Sequence, residues 1–98
     1  MTTKAYRERH QIIAKILNII SESDTKGATR TSIMYKAFLS HAQLKEYLSF
    51  LLENDLVEEI PQQIKTSGSV EKLVYKISEK GLRFLQISQE FENLIGHD

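Results

Sequence analysis

The sequence predicts an α+β domain, mainly α: three helices, a two-stranded hairpin and a closing helix. Four stretches place apolar residues at helical spacing, and a polar S-G-S sits between two short β-rich runs near the C-terminal side. At 98 residues and 41% apolar composition, the chain suits one domain with a modest core. Such a domain buries roughly 60–70% of its unfolded surface.

From about Lys4 to Ser23, Ile12, Ile13, Ile16, Leu17, Ile19 and Ile20 give a wide apolar stripe, with Lys4, Arg7, Arg9 and Lys15 off it. The residues are strand-favouring, but their spacing does not alternate and the length suits a helix. Ser21 to Gly27 is a loop by composition. Ala28 to Arg30 can add a very short strand. Thr31 or Ser32 then caps a second helix carrying Ile33, Met34, Ala37 and Phe38. Phe38-Leu39-Ser40 is too short for anything but a turn.

The stretch Ser40 to Asn54 is the centre of the chain. Leu44, Tyr47, Leu48, Leu51 and Leu52 recur at i, i+3, i+4, i+7 and i+8, and Ser40 stands at the N-cap. The helix ends at Asn54-Asp55, residues that tolerate the left-handed region. Leu56 to Ile60 reads as a strand stopped by Pro61, the only proline. Gln62 to Glu71 is polar, a hairpin tip, and Lys72 to Ile77 returns with Leu73, Tyr75 and Ile77 on one face. Ser78 to Gly81 opens a last helix to about Ile95, whose Leu82 and Leu85 can return to the core. Two helices joined by a short turn form a helix-turn-helix unit, and the hairpin after the third helix gives the winged-helix order.

Charge points to a docking face rather than to bulk attraction. Thirteen basic and thirteen acidic residues cancel, which predicts weak non-specific binding to nucleic acid. Between Thr25 and Lys45, however, lie four cations (Lys26, Arg30, Lys36, Lys45) and no carboxylate. After Arg83 there are three carboxylates and no Lys or Arg. A duplex responds to the local field at the contact. Chance clustering on a solvated surface is the competing reading.

The side chains on helix 40–54 that face away from its leucines are His41, Ala42, Gln43, Lys45, Glu46 and Ser49. In the major groove Gln43 can pair with adenine, Lys45 can donate to guanine or phosphate, Glu46 can accept from cytosine, and Ala42 can touch a thymine methyl. Plain solvated helix surface explains the same residues. Thr29, Arg30, Thr31, Ser32 and Lys36 form a candidate phosphate clamp. Tyr35 can donate to phosphate or bury its ring. Lys65, Thr66 and Ser67, on a wing spanning 61–71, can follow the backbone or minor groove. Phe84, Ile87, Phe91 and Leu94 step by 3, 4 and 3, the rhythm of a helix–helix seam. That seam either packs back on the first helix or joins two copies.

Ile33 to Val57 (I-M-Y-K-A-F-L-S-H-A-Q-L-K-E-Y-L-S-F-L-L-E-N-D-L-V) and Tyr75 to Leu85 (Y-K-I-S-E-K-G-L-R-F-L) closely resemble the archaeal winged helix-turn-helix regulators. That family includes chromatin-associated forms that dimerise through a C-terminal coiled coil. The resemblance implies a double-stranded-DNA-binding transcriptional regulator or nucleoid protein without enzymatic activity. It implies a DNA-binding domain over 1–80, a dimerisation helix over 78–98, and a homodimer in the cytoplasm. Family members more often carry a polar residue at Phe38 and glycine at Asp55, so Asp55 is expected to be left-handed at a cost of about 1 kcal/mol.

Other classes find less support. There is no cysteine, hence no disulfide or thiolate site, and no Gly-rich phosphate loop. His10, His41 and His97 lack ligand spacing, so no metal or cofactor is expected. No apolar run approaches the roughly 20 residues of a membrane span, and a soluble, intracellular protein is expected. The rival reading is a winged-helix protein-interaction module in a larger assembly that does not itself read DNA.

Overall fold

The computed structural model describes residues 2–23, 27–65 and 69–95. The elements are α1 (Thr2–Glu22), β1 (Ala28–Thr29), α2 (Arg30–Ala37), α3 (His41–Glu53), β2 (Val57–Lys65), β3 (Ser69–Ile77) and α4 (Glu79–Ile95). This is the expected order, with the short first strand realised. It joins the hairpin in a three-stranded antiparallel sheet of order β1-β3-β2.

Burial of one stripe from each of the first three helices builds the core. Ile13, Ile16, Leu17 and Ile20 of α1 meet Ile33 and Ala37 of α2 and Leu44, Leu48 and Leu51 of α3. Leu56, Val57 and Tyr75 close the cluster from the sheet side. Each large aliphatic buried here contributes about 1.5–3 kcal/mol relative to exposure. Ile12, Ile19, Tyr47 and Leu52 pack at its margin. The wide stripe seen in the sequence is therefore a fully buried line with two half-buried flanks.

Both helices of the helix-turn-helix end in the same way. Phe38 (φ 57°) and Asp55 (φ 58°) occupy the left-handed region, where an L side chain crowds its own backbone. Behind them Leu39 N–H donates to the Met34 carbonyl at 3.1 Å, and Leu56 N–H donates to the Leu51 carbonyl at 2.9 Å. These bonds satisfy carbonyls that the helix end leaves free. Asp55 was expected in this conformation; Phe38 was not, since a bulky aromatic is a poor choice for it.

Four expectations are corrected. The cap of α2 is Thr29, not Thr31 or Ser32: its hydroxyl accepts from Ser32 N–H at 3.1 Å. Pairing of Ala28 and Thr29 with Tyr75 and Val74 holds the chain extended up to Thr29, so the helix starts one residue later. Pro61 does not stop β2, which continues to Lys65, with Pro61 opposite Leu73. β2 is an edge strand, and a residue whose N–H would point outward loses no ladder bond when it is proline. The polar stretch Gln62 to Glu71, expected as a tip, is mostly ladder. Gln62 pairs with Lys72, Gln63 with Glu71 and Ile64 with Val70. A two-stranded ribbon satisfies its backbone across the pair, so polar residues can continue it.

The fourth correction concerns α4. Leu82 is 50% exposed instead of returning to the core, while Phe84 and Leu85 pack against it. Gly81 sets this phase. A Cβ there would lie 2.2 Å from the Leu56 carbonyl oxygen and 2.7 Å from Ile77 Cγ1. With residue 81 pressed inward, positions 84, 85 and 88 follow at i+3, i+4 and i+7, and residue 82 turns outward. Ser78 secures the junction: its Oγ accepts from Gly81 N–H at 3.0 Å and donates to the Asp55 carbonyl at 2.6 Å. Its own N–H donates to the Leu56 carbonyl at 3.1 Å.

Gly81→Ala is expected to destabilise the fold by about 1–3 kcal/mol or more, because the obstructing atom is backbone and cannot swing away. Chemical denaturation against the native chain measures it.

Candidate nucleic-acid interface

The N-terminus of α3 is held by a reciprocal cap. Ser40 Oγ accepts from Gln43 N–H at 3.2 Å, and Gln43 Oε1 accepts from Ser40 N–H at 2.9 Å. This capping box stiffens the first turn. With Leu44, Leu48 and Leu51 buried, His41, Ala42, Gln43, Lys45, Glu46 and Ser49 are all exposed. Gln43 is thus committed twice. Its carbonyl oxygen closes the cap, which leaves its amide protons as the free group.

The outermost line of the helix is Ala42, Glu46, Ser49 and Glu53, spaced by 4, 3 and 4 and all exposed. It carries two carboxylates. The cation on this helix, Lys45, lies to one side of that line.

In α2, Thr31, Tyr35 and Lys36 are exposed and Ser32 is half-buried. Thr29 is half-buried, with its hydroxyl oxygen accepting the cap bond. The two fates open for Tyr35 are resolved in favour of solvent, since the residue is 73% exposed. Phe38, in the turn between the helices, is 85% exposed, and the Lys15 ammonium stands 5.2 Å from its ring centroid. This cation–π contact gives the strained aromatic one partner.

Arg30 opens α2 beside the sheet. The Tyr75 hydroxyl donates to Glu59 Oε2 at 2.7 Å, tying β3 to β2. Burial pushes the Tyr75 phenol above its ordinary value of 10.0; the Glu59 carboxylate adds to the rise, and the Arg30 guanidinium opposes it. Arg30 therefore faces a structural pair as well as solvent. On the wing, Lys65 ends β2, whereas Thr66 and Ser67 lie outside the described residues.

The seam residues of α4 separate. Phe84 packs inward with its ring 5.4 Å from that of His10, while Ile87, Phe91 and Leu94 are 59%, 53% and 85% exposed. A contact no spacing argument could find joins α1 to α4: His10 Nε2 and Ser88 Oγ share a 2.8 Å hydrogen bond across 78 residues of sequence. Phe91 stands edge-on to the same imidazole at 6.5 Å. Beside it, Arg9, His10, Ile13, Glu46, Tyr47, Phe50 and Phe84 line a cavity of about 380 Å³ between α1, α3 and α4.

Among the described residues, no group of three or more His, Cys, Asp or Glu is placed to hold a metal ion. No described helix is long and apolar enough to cross a membrane.

The architecture has known counterparts. The family model for the winged helix-turn-helix matches residues 6–96, nearly the whole chain. The chain belongs to the winged helix-turn-helix family. Among solved structures it is similar to the "PadR-like Transcription factor from bacteroid fragilis" at a TM-score of 0.70 and 18% identity. That match covers 96% of this chain and 92% of that one, and at such identity it shows the fold. A comparison with curated proteins gave no match.

A neutral Tyr75 is worth more in the folded chain than in the unfolded one, so its contribution is complete below about pH 10 and declines as pH rises further. Tyr75→Phe should cost about 0.5–3 kcal/mol at neutral pH through the lost hydrogen bond. The gap between the variant and the native chain should narrow above pH 10, as denaturant titrations from pH 7 to 11 would record.

Proposed function

We propose that this chain is a double-stranded-DNA-binding transcriptional regulator in which α3 enters the major groove. The observation that carries the proposal is the exposed, rigidly capped N-terminal end of α3, in a winged helix-turn-helix chain matched over residues 6–96. An α-helix fits the roughly 12 Å groove, and the first turns of a recognition helix meet base edges. The similar PadR-like protein is named a transcription factor, which supports the same reading.

His41, Ala42, Lys45 and Ser49 are the base-facing residues of this proposal, with Gln43 donating through its free amide. Glu46 accepts from a cytosine amino group or rejects sequences that lack one. Lys36, Arg30, Thr31, Ser32 and Tyr35 hold phosphates, and Lys65 begins the wing contact. Residues 1–80 form the reading domain. The exposed line Ile87, Phe91 and Leu94 of α4 joins two copies, which places two reading helices on one duplex. Cytoplasmic residence at the nucleoid follows from such a role.

A second reading has an observation of its own. The carboxylates Glu46 and Glu53 on the outermost line of α3 repel phosphate, as a protein-docking winged helix would tolerate and a strong DNA binder would not.

One gel-shift series on random and selected duplexes at two salt concentrations separates the two. Lys36→Ala should weaken binding to every sequence and lower the salt slope by about 1; Gln43→Ala should relax preference at one base position at a cost of roughly 1–3 kcal/mol. A native chain that shifts no duplex even at low salt leaves the docking-module reading. For the arm, Phe91→Glu should convert a dimer to a monomer in light scattering. A native chain that is already monomeric ends the dimer proposal.

A further inference from the structure

The cavity between α1, α3 and α4 is not explained by DNA reading. Its volume, about 380 Å³, lies within the roughly 300–1,000 Å³ range of small-molecule sites. Its lining has a definite chemistry. Tyr47, Phe50, Phe84 and the His10 imidazole supply aromatic surface, and Ile13 supplies an aliphatic contact. The two charged side chains that line it, Arg9 and Glu46, are both exposed, and they have opposite sign.

We infer that this cavity binds a small zwitterionic aromatic, of the class of a free aromatic amino acid. A flat ring finds offset and edge-on partners among the aromatic walls. A ligand carboxylate pairs with the forked guanidinium of Arg9, and its ammonium with the Glu46 carboxylate. A purely anionic aromatic would meet Glu46 unfavourably, and a purely cationic one would meet Arg9. A ligand carrying both charges offers a partner of opposite sign to each residue. His10, held in place by Ser88, is one of the residues that line the site.

The position of the cavity gives binding a consequence. Glu46, Tyr47 and Phe50 belong to α3, the helix proposed to read DNA, and Glu46 lies on its outermost line. A carboxylate engaged by a ligand ammonium is no longer free to meet a base. Occupancy therefore changes DNA affinity, a coupling that rests on the DNA-binding reading, whereas the binding site itself does not.

The test is calorimetry on the full chain without DNA, using L-tryptophan and L-phenylalanine as probes. Phenethylamine and 3-phenylpropionate, which keep one charge each, and L-leucine serve as controls. Sub-millimolar binding of an aromatic amino acid, about tenfold or more tighter than each control, is the expected result. Arg9→Gln and Phe50→Ala, both at exposed positions, should weaken it by a similar factor while melting temperature stays near native. Absence of binding at about 10 mM L-tryptophan and L-phenylalanine, or equal binding of the singly charged analogues, overturns the proposal. A gel shift with and without the better probe then reads the coupling, expected at about fivefold or more. Binding in calorimetry with no shifted duplex would refute the DNA reading and leave the site standing.

Discussion

The face that α3 turns to solvent depends on the burial of three leucines. Leu44, Leu48 and Leu51 are essentially inaccessible, wedged against the isoleucine line of α1 and Ile33 of α2. A helix anchored along one line has its rotation settled, so the opposite line faces solvent without further instruction. The Ser40–Gln43 cap then determines where that helix begins. The exposure of this face is a by-product of core packing on the other.

A second constraint lies where α3, β2 and α4 meet. Asp55 reverses the chain in a left-handed conformation, and its carbonyl accepts from Ser78. The next carbonyl, that of Leu56, accepts from Ser78 N–H and lies so close to Gly81 that no side chain fits. Four residues at one corner thus couple the end of α3 to the phase of α4. That phase brings Phe84 and Ser88 to His10, closes one side of the aromatic cavity, and leaves Ile87, Phe91 and Leu94 outside.

The distribution of charge and aromatic surface follows from the same geometry. The cations Arg30, Lys36 and Lys45 are exposed on the helix-turn-helix, and Lys15 reaches over the exposed ring of Phe38. Zero net charge for the chain says little about such a surface, because a partner meets the local field. Yet the outermost line of α3 carries Glu46 and Glu53, which bounds the electrostatic attraction available to a duplex there.

What the sequence by itself determined was local. Helical spacing placed α1 and α3, the Ser40 hydroxyl marked where α3 starts, and Asp55 marked where it stops. Each rests on residues within a turn or two of one another, so neighbouring chemistry suffices. The third strand was visible only as a possibility at Ala28, because two residues make a strand only when β3 lies beside them. Pro61 looks locally like a stop because strand position at a sheet edge is not written in the residues around it. The Thr29 cap, the outward turn of Leu82, the left-handed Phe38 and the His10–Ser88 bond were decided by tertiary structure. Each depends on atoms brought close from distant sequence, and packing then overrides the local preference. The aromatic cavity belongs to this second group, since its walls come from three helices whose residues share no motif.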